Sequence, residues 1–175
     1  MSDDGVEVSF KLKPMDHIAA RVGWVAITAA RLETVIGFIL VKLHGDEREA
    51  ALLGRRWRDT YEDAKRTYAG LRDDAAASGD EEDAAACDRF ADALGRANLL
   101  MQRRHHVLHA VWTADPEVVR LDGASTAFRS GGRRDGADWS LDDLWKLASE
   151  LNELHQQALA ELARQIGAQS STHSD

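Results

Sequence analysis

The fold is decided by residues 16–44, which read DHIAARVGWVAITAARLETVIGFILVKLH. Apolar side chains recur in this stretch at alternating steps of four and three, which gathers them in one stripe along a helix. Asp16 is a suitable N-cap, and Gly45 is a suitable residue to end the helix. We therefore predict a first helix over residues 15–44. Its buried stripe consists of Ile18, Val22, Val25, Ala29, Leu32, Ile36, Ile39 and Leu43.

The rest of the chain continues this helical pattern. Its two prolines, Pro14 and Pro116, leave the long stretch between them free of helix-breaking residues. Asp80 followed by Asp83, and Ser140 followed by Asp143, are typical of helix starts. Besides the first helix, we predict helices over 46–77, 80–113 and 140–168, with tails at 1–14 and 169–175.

Residues 117–139 lose the helical period. Two short strands are predicted there, over 117–121 and 125–129, with Asp122-Gly123-Ala124 as the turn between them. Four long amphipathic helices can bury their stripes only against one another. The predicted fold is therefore all-α: one domain, a long up-and-down four-helix bundle with a short β-hairpin insertion between helices three and four.

Composition limits the possible partners. The chain of 175 residues carries 22 Lys and Arg against 30 Asp and Glu, a net charge of −8, so broad adhesion to nucleic acid or to an anionic membrane is not expected. A single cysteine, Cys87, excludes an internal disulfide framework and fits a cytoplasmic location. Residues 23–43 contain Arg31, Glu33 and Lys42, which argues against a membrane span.

Three of the seven histidines fall within Arg103-Arg104-His105-His106-Val107-Leu108-His109. On a helix, Arg104 projects into an arc of apolar side chains, which is an unusual place for a permanent charge. Beside that arc runs a mostly polar stripe that requires a partner. The stripe contains Asn98, Gln102, His105, His109 and Trp112.

The spacing Arg104-x4-His109 resembles the Arg-x4-6-His signature of HEPN domains, a family of all-α bundles that includes many ribonucleases acting as toxins or in phage defence. A polar residue follows the arginine, and Trp112 follows the histidine, as in one broad subgroup. The layout from Gln102 to Leu151 is similar as well. The family's frequent Asn after the Arg and Gly after the His are replaced by His105 and Ala110.

The resemblance implies RNA cleavage at the 2′-OH without a metal ion or other cofactor, leaving a 2′,3′-cyclic phosphate. His109 would be the general base or acid, since a free imidazole has a pKa of about 6.5. Arg104 would hold the phosphate, His105 or His106 would supply a second proton-transfer group, and Arg103 would contact a flanking phosphate. The family usually pairs two motifs across a two-fold axis, so we expect a homodimer, an RNA substrate and a protein antitoxin.

Two points stay open at the level of the sequence. Arg104 and His109 project about 140° apart on a straight helix, so they converge only if the helix bends or if they meet across a dimer interface. In a purely structural interpretation, Arg104 instead pairs with Glu33 of the first helix, and the histidines form hydrogen bonds across the bundle.

Other interpretations compete with the nuclease. His105 and His109 are spaced like helical metal ligands, with His17, His44, His155 and Glu33 as candidates to complete a zinc or iron site. Asn98 and Gln102 would support the nuclease site by touching RNA, or would pair across two helices in a non-catalytic interaction module. Arg129, Arg133 and Arg134 are either a solvated hairpin tip, which we favour, or a rim contact for phosphate. The run Asp80-Glu81-Glu82-Asp83 is interpreted as a helix N-terminus in preference to a docking patch.

Overall fold

The computed structural model describes residues 14–109, 112–113, 128–130 and 138–172. The described chain is overwhelmingly helical, which confirms the all-α class. The helices are α1 Pro14–His44, a 3-10 turn Asp46–Arg48, α2 Glu49–Leu52, α3 Trp57–Ser78, α4 Glu81–His109 and α5 Leu141–Thr172.

The predicted helix over 46–77 is wrong as one element. Leu53 is extended and Gly54 has a φ of 77°, a left-handed conformation that ends α2. The side chain of Leu53 turns back onto α1, where a Cβ added at Gly37 would lie 2.9 Å from Leu53 Cδ2. Burial of this leucine interrupts the helix, and α3 begins only at Trp57.

The predicted helix over 80–113 also ends too late. α4 ends at His109, and the backbone of Trp112–Thr113 forms a strand, β1, instead. β1 pairs antiparallel with β2, Phe128–Ser130, which pairs antiparallel with β3, Asp138–Trp139. Cross-strand hydrogen bonding of the backbone competes here with continuation of the helix. The predicted strand over 117–121, the predicted turn, and Arg133 and Arg134 lie outside the described residues.

Side-chain caps hold the starts of α4 and α5. The backbone N–H of Asp83 donates to Asp80 Oδ1 at 3.0 Å, as the acidic run indicated. The backbone N–H of Asp143 donates to Ser140 Oγ at 3.0 Å, and the backbone N–H of Ser140 donates to Asp143 Oδ2 at 2.9 Å, which forms a reciprocal capping box. At its other end α5 continues to Thr172, so the tail predicted over 169–175 is helical through that residue. Residues 1–13 and 173–175 lie outside the described part.

One apolar core joins the four long helices. Leu32, Tyr68, Leu94 and Leu151 are each almost fully buried and come from α1, α3, α4 and α5 in turn. α1 packs along α5 and α3 packs along α4, with α4 also against α5. The stripe predicted for the first helix is buried, apart from its half-buried members Val22 and Leu43, and its buried members other than Ile18 belong to this core.

The helix directions differ from the predicted up-and-down order. Arg21 lies over Trp145 near the start of both α1 and α5, and Leu32 lies level with Leu154 farther along, so these two helices are parallel. Arg103, near the end of α4, contacts Glu150, near the start of α5, so these two helices are antiparallel. The same kind of pairing makes α3 antiparallel to α4, and therefore parallel to α1. The reason is the 45–56 segment, which returns alongside α1 before α3 begins.

α1 is long and apolar enough to cross a membrane by length and composition alone. More than half of its most apolar window is buried inside the fold, and the core helix of a soluble protein passes the same test. The helix is therefore only a weak indication of a membrane segment.

Candidate functional site

The candidate site lies on the C-terminal half of α4. Arg104 is half-buried there, and its Nε is buried without a hydrogen-bond partner in the described part of the chain. An open hollow of about 310 Å³ lies beside it, with Trp57 and Met101 on its apolar side. Gln102, His105 and His106 complete the lining. A guanidinium that lines an open hollow is suited to hold an anion.

The three histidines are exposed at the surface of α4. The ring centroids of His105 and His109 are 4.3 Å apart with planes inclined by 52°, because one helical turn separates the two residues. His106 lies farther from His105, with 6.2 Å between ring centroids. His109 itself does not line the hollow that contains Arg104, so His105 is the group that connects the two predicted catalytic residues.

Glu33 and Arg104 interact electrostatically without a direct ion pair. Burial raises the pKa of the Glu33 carboxyl above its ordinary value, and the charge of Arg104 opposes this shift. Among the described residues no Glu33 oxygen lies within 4 Å of an Arg104 nitrogen. The proposed pairing of Arg104 with a buried acid is therefore present only as a longer-range attraction.

Arg103 belongs to a second hollow on the other side of α4. Its Nη1 lies 3.6 Å from Glu150 Oε2, and its guanidinium lies 5.4 Å from the centroid of the Trp139 ring. This groove between α4 and α5 has a volume of about 640 Å³. Gln102 and His106 line both hollows and form the ridge between them.

Asn98 has a structural role. It is half-buried, and its Oδ1 accepts a hydrogen bond of 3.0 Å from Trp57 Nε1. This bond joins α3 to α4 beneath the hollow and satisfies an indole N–H that would otherwise be left unpaired. The first residue of the polar stripe predicted on α4, Asn98, is therefore already hydrogen-bonded within the fold. The stripe ends at His109, because Trp112 belongs to β1.

A buried polar network was missed at the level of the sequence. Glu161 is only 8% exposed, and it accepts hydrogen bonds from Tyr68, Gln165 and both Nε and Nη2 of Arg164. Burial tends to raise the pKa of Glu161, but the hydrogen bonds outweigh it and hold the pKa below its ordinary value. One signal was available: Glu161 follows Ala158 by three residues, so the apolar period of α5 places it in the interface.

The residues considered to complete a metal site with His105 and His109 do not join this pair in the described part of the chain. His17 is exposed, and a hydrogen bond of 3.1 Å joins His44 Nε2 to Thr67 Oγ1. The pKa of His155 is lowered, mainly by burial and to a smaller extent by the charge of Arg31. Within the described ranges, no three side chains of His, Cys, Asp or Glu form a group that could hold a metal ion. Cys87 is buried in the core, and this burial raises the pKa of its thiol.

A comparison of the chain with protein-family models, with curated proteins and with solved structures finds no match in any of the three. The site therefore has to be interpreted from its own chemistry.

Proposed function

We propose that the protein is a metal-independent RNA endonuclease of the HEPN type that acts as a homodimer. The observation that carries the proposal is the face of α4 where Arg104 borders an open hollow next to His105, whose ring contacts that of His109. Cleavage at a 2′-OH uses a cation to bind the phosphate and two accessible proton-transfer groups, and this face offers a guanidinium and two exposed imidazoles.

In this proposal Arg104 binds the scissile phosphate and stabilises the charge that develops on its oxygens. His109 takes the proton of the 2′-OH or gives one to the leaving 5′-oxygen, and His105 acts at the opposite end of the reaction. The 2′-oxygen forms a bond to phosphorus as the bond from phosphorus to the 5′-oxygen breaks, which leaves a cyclic phosphate. No redox partner or added cofactor is required.

The geometry of one chain supports dimerisation as part of this proposal. Arg104 and His109 point about 140° apart on a straight helix, and His109 lies outside the hollow that Arg104 lines. A second copy across a two-fold axis would bring one copy's His109 to the hollow of the other. The proposal also includes a HEPN-type four-helix bundle with a β-hairpin insertion between α4 and α5, a cytoplasmic location, and a toxin or phage-defence role with a protein antitoxin.

The test is incubation of the purified protein with RNA in EDTA, followed by analysis of the cleaved ends. We expect 2′,3′-cyclic phosphate ends, and loss of cleavage in Arg104→Ala and in His109→Ala. Arg89→Ala is the matched control, since Arg89 is exposed on the same helix and lines neither hollow. Cleavage that survives both site variants, or that stops in EDTA, would rule out this mechanism.

A second candidate is a non-catalytic interaction module, and exposed apolar side chains favour it. On α1, Trp24 and Ile27 are each 48% exposed, and on α5 Trp145 is 50% exposed. Large apolar side chains exposed together on neighbouring helices are typical of contact surfaces. This candidate predicts a dimer that dissociates in Trp24→Glu and that neither binds nor cuts RNA. Sedimentation and RNA binding separate it from the nuclease.

A further inference from the structure

The groove between α4 and α5 has two walls of different chemistry. α4 contributes Arg96 and Arg103 together with Leu99, which is 62% exposed. α5 contributes Glu150 and Glu153. The volume of the groove, about 640 Å³, is within the range of small-molecule sites. The groove therefore offers an apolar surface, cations and carboxylates to a single occupant.

The charged groups of this groove keep unused hydrogen-bonding capacity. Arg103 and Glu150 face each other at 3.6 Å, which is longer than an N–H···O hydrogen bond. Glu153 lies one turn farther along α5, is exposed, and has no ion-pair partner among the described residues. A ligand with both donors and acceptors can replace water on these groups without breaking an internal bond.

The arrangement favours one nucleobase. A carboxylate only accepts hydrogen bonds, and it takes two adjacent donors in a bidentate pair. Guanine presents two neighbouring N–H donors, at N1 and at its exocyclic amine. Adenine, cytosine and uracil each place an acceptor beside their donor, which would face a second carboxylate oxygen and be repelled. Unpaired RNA bases are commonly recognised at this edge while the ring stacks on a guanidinium or an apolar side chain.

We propose that this groove binds a guanine nucleotide of the RNA chain, with Glu153 accepting from the guanine edge. The ring lies against Leu99 and Arg103, and the sugar-phosphate continues over the ridge of Gln102 and His106 toward Arg104. Arg96 pairs with a flanking phosphate. The inference rests on the proposed RNA cleavage and adds a base preference to it.

Calorimetric titration of the wild-type protein with guanosine, adenosine, cytidine and uridine 3′-monophosphate tests the proposal. We expect the guanosine nucleotide to bind at least about tenfold more tightly than the others, and Glu153→Gln to remove about tenfold of that affinity. Glu62→Gln is the matched control, because Glu62 is exposed on α3 and lines neither this groove nor the hollow beside Arg104. Equal binding of the four nucleotides, or an unchanged affinity in Glu153→Gln, overturns the proposal.

Cleavage assays keep this inference distinct from the proposed function. RNA cut in EDTA next to guanosine, with the preference lost in Glu153→Gln, supports both. Cleavage without base preference overturns the groove and leaves the nuclease. Tight binding of guanosine 3′-monophosphate through Glu153 by a protein that cuts no RNA supports the groove and removes the nuclease.

Discussion

The imidazole rings of His105 and His109 lie 4.3 Å apart between centroids, and only His105 of the two lines the hollow that Arg104 borders. His105 therefore lies between the hollow and His109, and in the proposed nuclease it is the histidine that would act on the substrate. The bare Arg-x4-His spacing does not reveal this intermediate position, because His105 lies outside the signature pair.

We expect His105→Ala to slow RNA cleavage by about 100-fold, the scale of one proton-transfer group. His105→Phe keeps a ring beside His109 but has no proton to transfer, so it should be as slow as His105→Ala. Single-turnover rates on one RNA measure both variants, with His17→Ala as a control at an exposed histidine of α1. Recovery of the wild-type rate in His105→Phe would mean that His105 only packs against His109.

Tyr68→Phe should lower the free energy of unfolding by about 1–2 kcal/mol, because it removes a buried donor from Glu161. The ring stays against Phe90, 4.5 Å away between centroids, so packing is kept. Urea denaturation measures the change. Tyr61→Phe is the matched control, since Tyr61 is only half-buried, on the same helix. A change below about 0.5 kcal/mol for Tyr68→Phe would show that the bond adds nothing net.

The lowered pKa of Glu161 predicts that the folded protein loses stability in acid. Its pKa in the folded chain lies below its ordinary value, so its contribution is complete above the unfolded pKa of about 4.3 and is lost as the pH falls through the folded pKa. The difference in unfolding free energy between wild type and Glu161→Gln should therefore be constant near neutral pH and shrink below about pH 4.3. Urea denaturation at a series of pH values measures it, and a difference that grows in acid would contradict this assignment.

Ser140→Ala should destabilise the protein by about 1 kcal/mol, the usual effect of losing an N-cap. The hydroxyl accepts from the backbone N–H of Asp143 and donates to its carboxylate at 2.7 Å. The pKa of Asp143 lies below its ordinary value, first because the backbone N–H of Ser140 donates to the carboxylate and second because the hydroxyl does so. Thermal unfolding measures the loss. Ser149→Ala, on the same helix, should have little effect, and an equal loss in both variants would point to helix propensity rather than to the cap.

Much of the fold could be predicted because local rules determine it. Asp80 and Ser140 cap the helices they were expected to cap, and the apolar periods identify the buried faces. The break at Leu53 and Gly54 was missed because the leucine fits a helical period as well as it fits contact with α1. Helix direction was missed because a stripe shows which face is buried but not which way the partner helix runs.

The placement of some residues of the candidate site could also be predicted. Helical spacing places His105 and His109 together at the surface, and the structure has them there. Helical spacing does not reveal that Trp57 donates a hydrogen bond to Asn98, because that contact depends on how α3 lies along α4. Nor does it reveal the groove with Glu153, whose carboxylate comes from α5, far away in sequence.

The parallel packing of α1 along α5 has a consequence for synthesis of the chain. α1 is made before α5, the helix it packs along, and is apolar enough to pass for a membrane segment by composition. Contacts between segments far apart in sequence form late and slow the search for the native state. A nascent chain in which α1 is made and α5 is not has an uncovered apolar helix and is prone to aggregate, so chaperones should engage it until α5 has been synthesised.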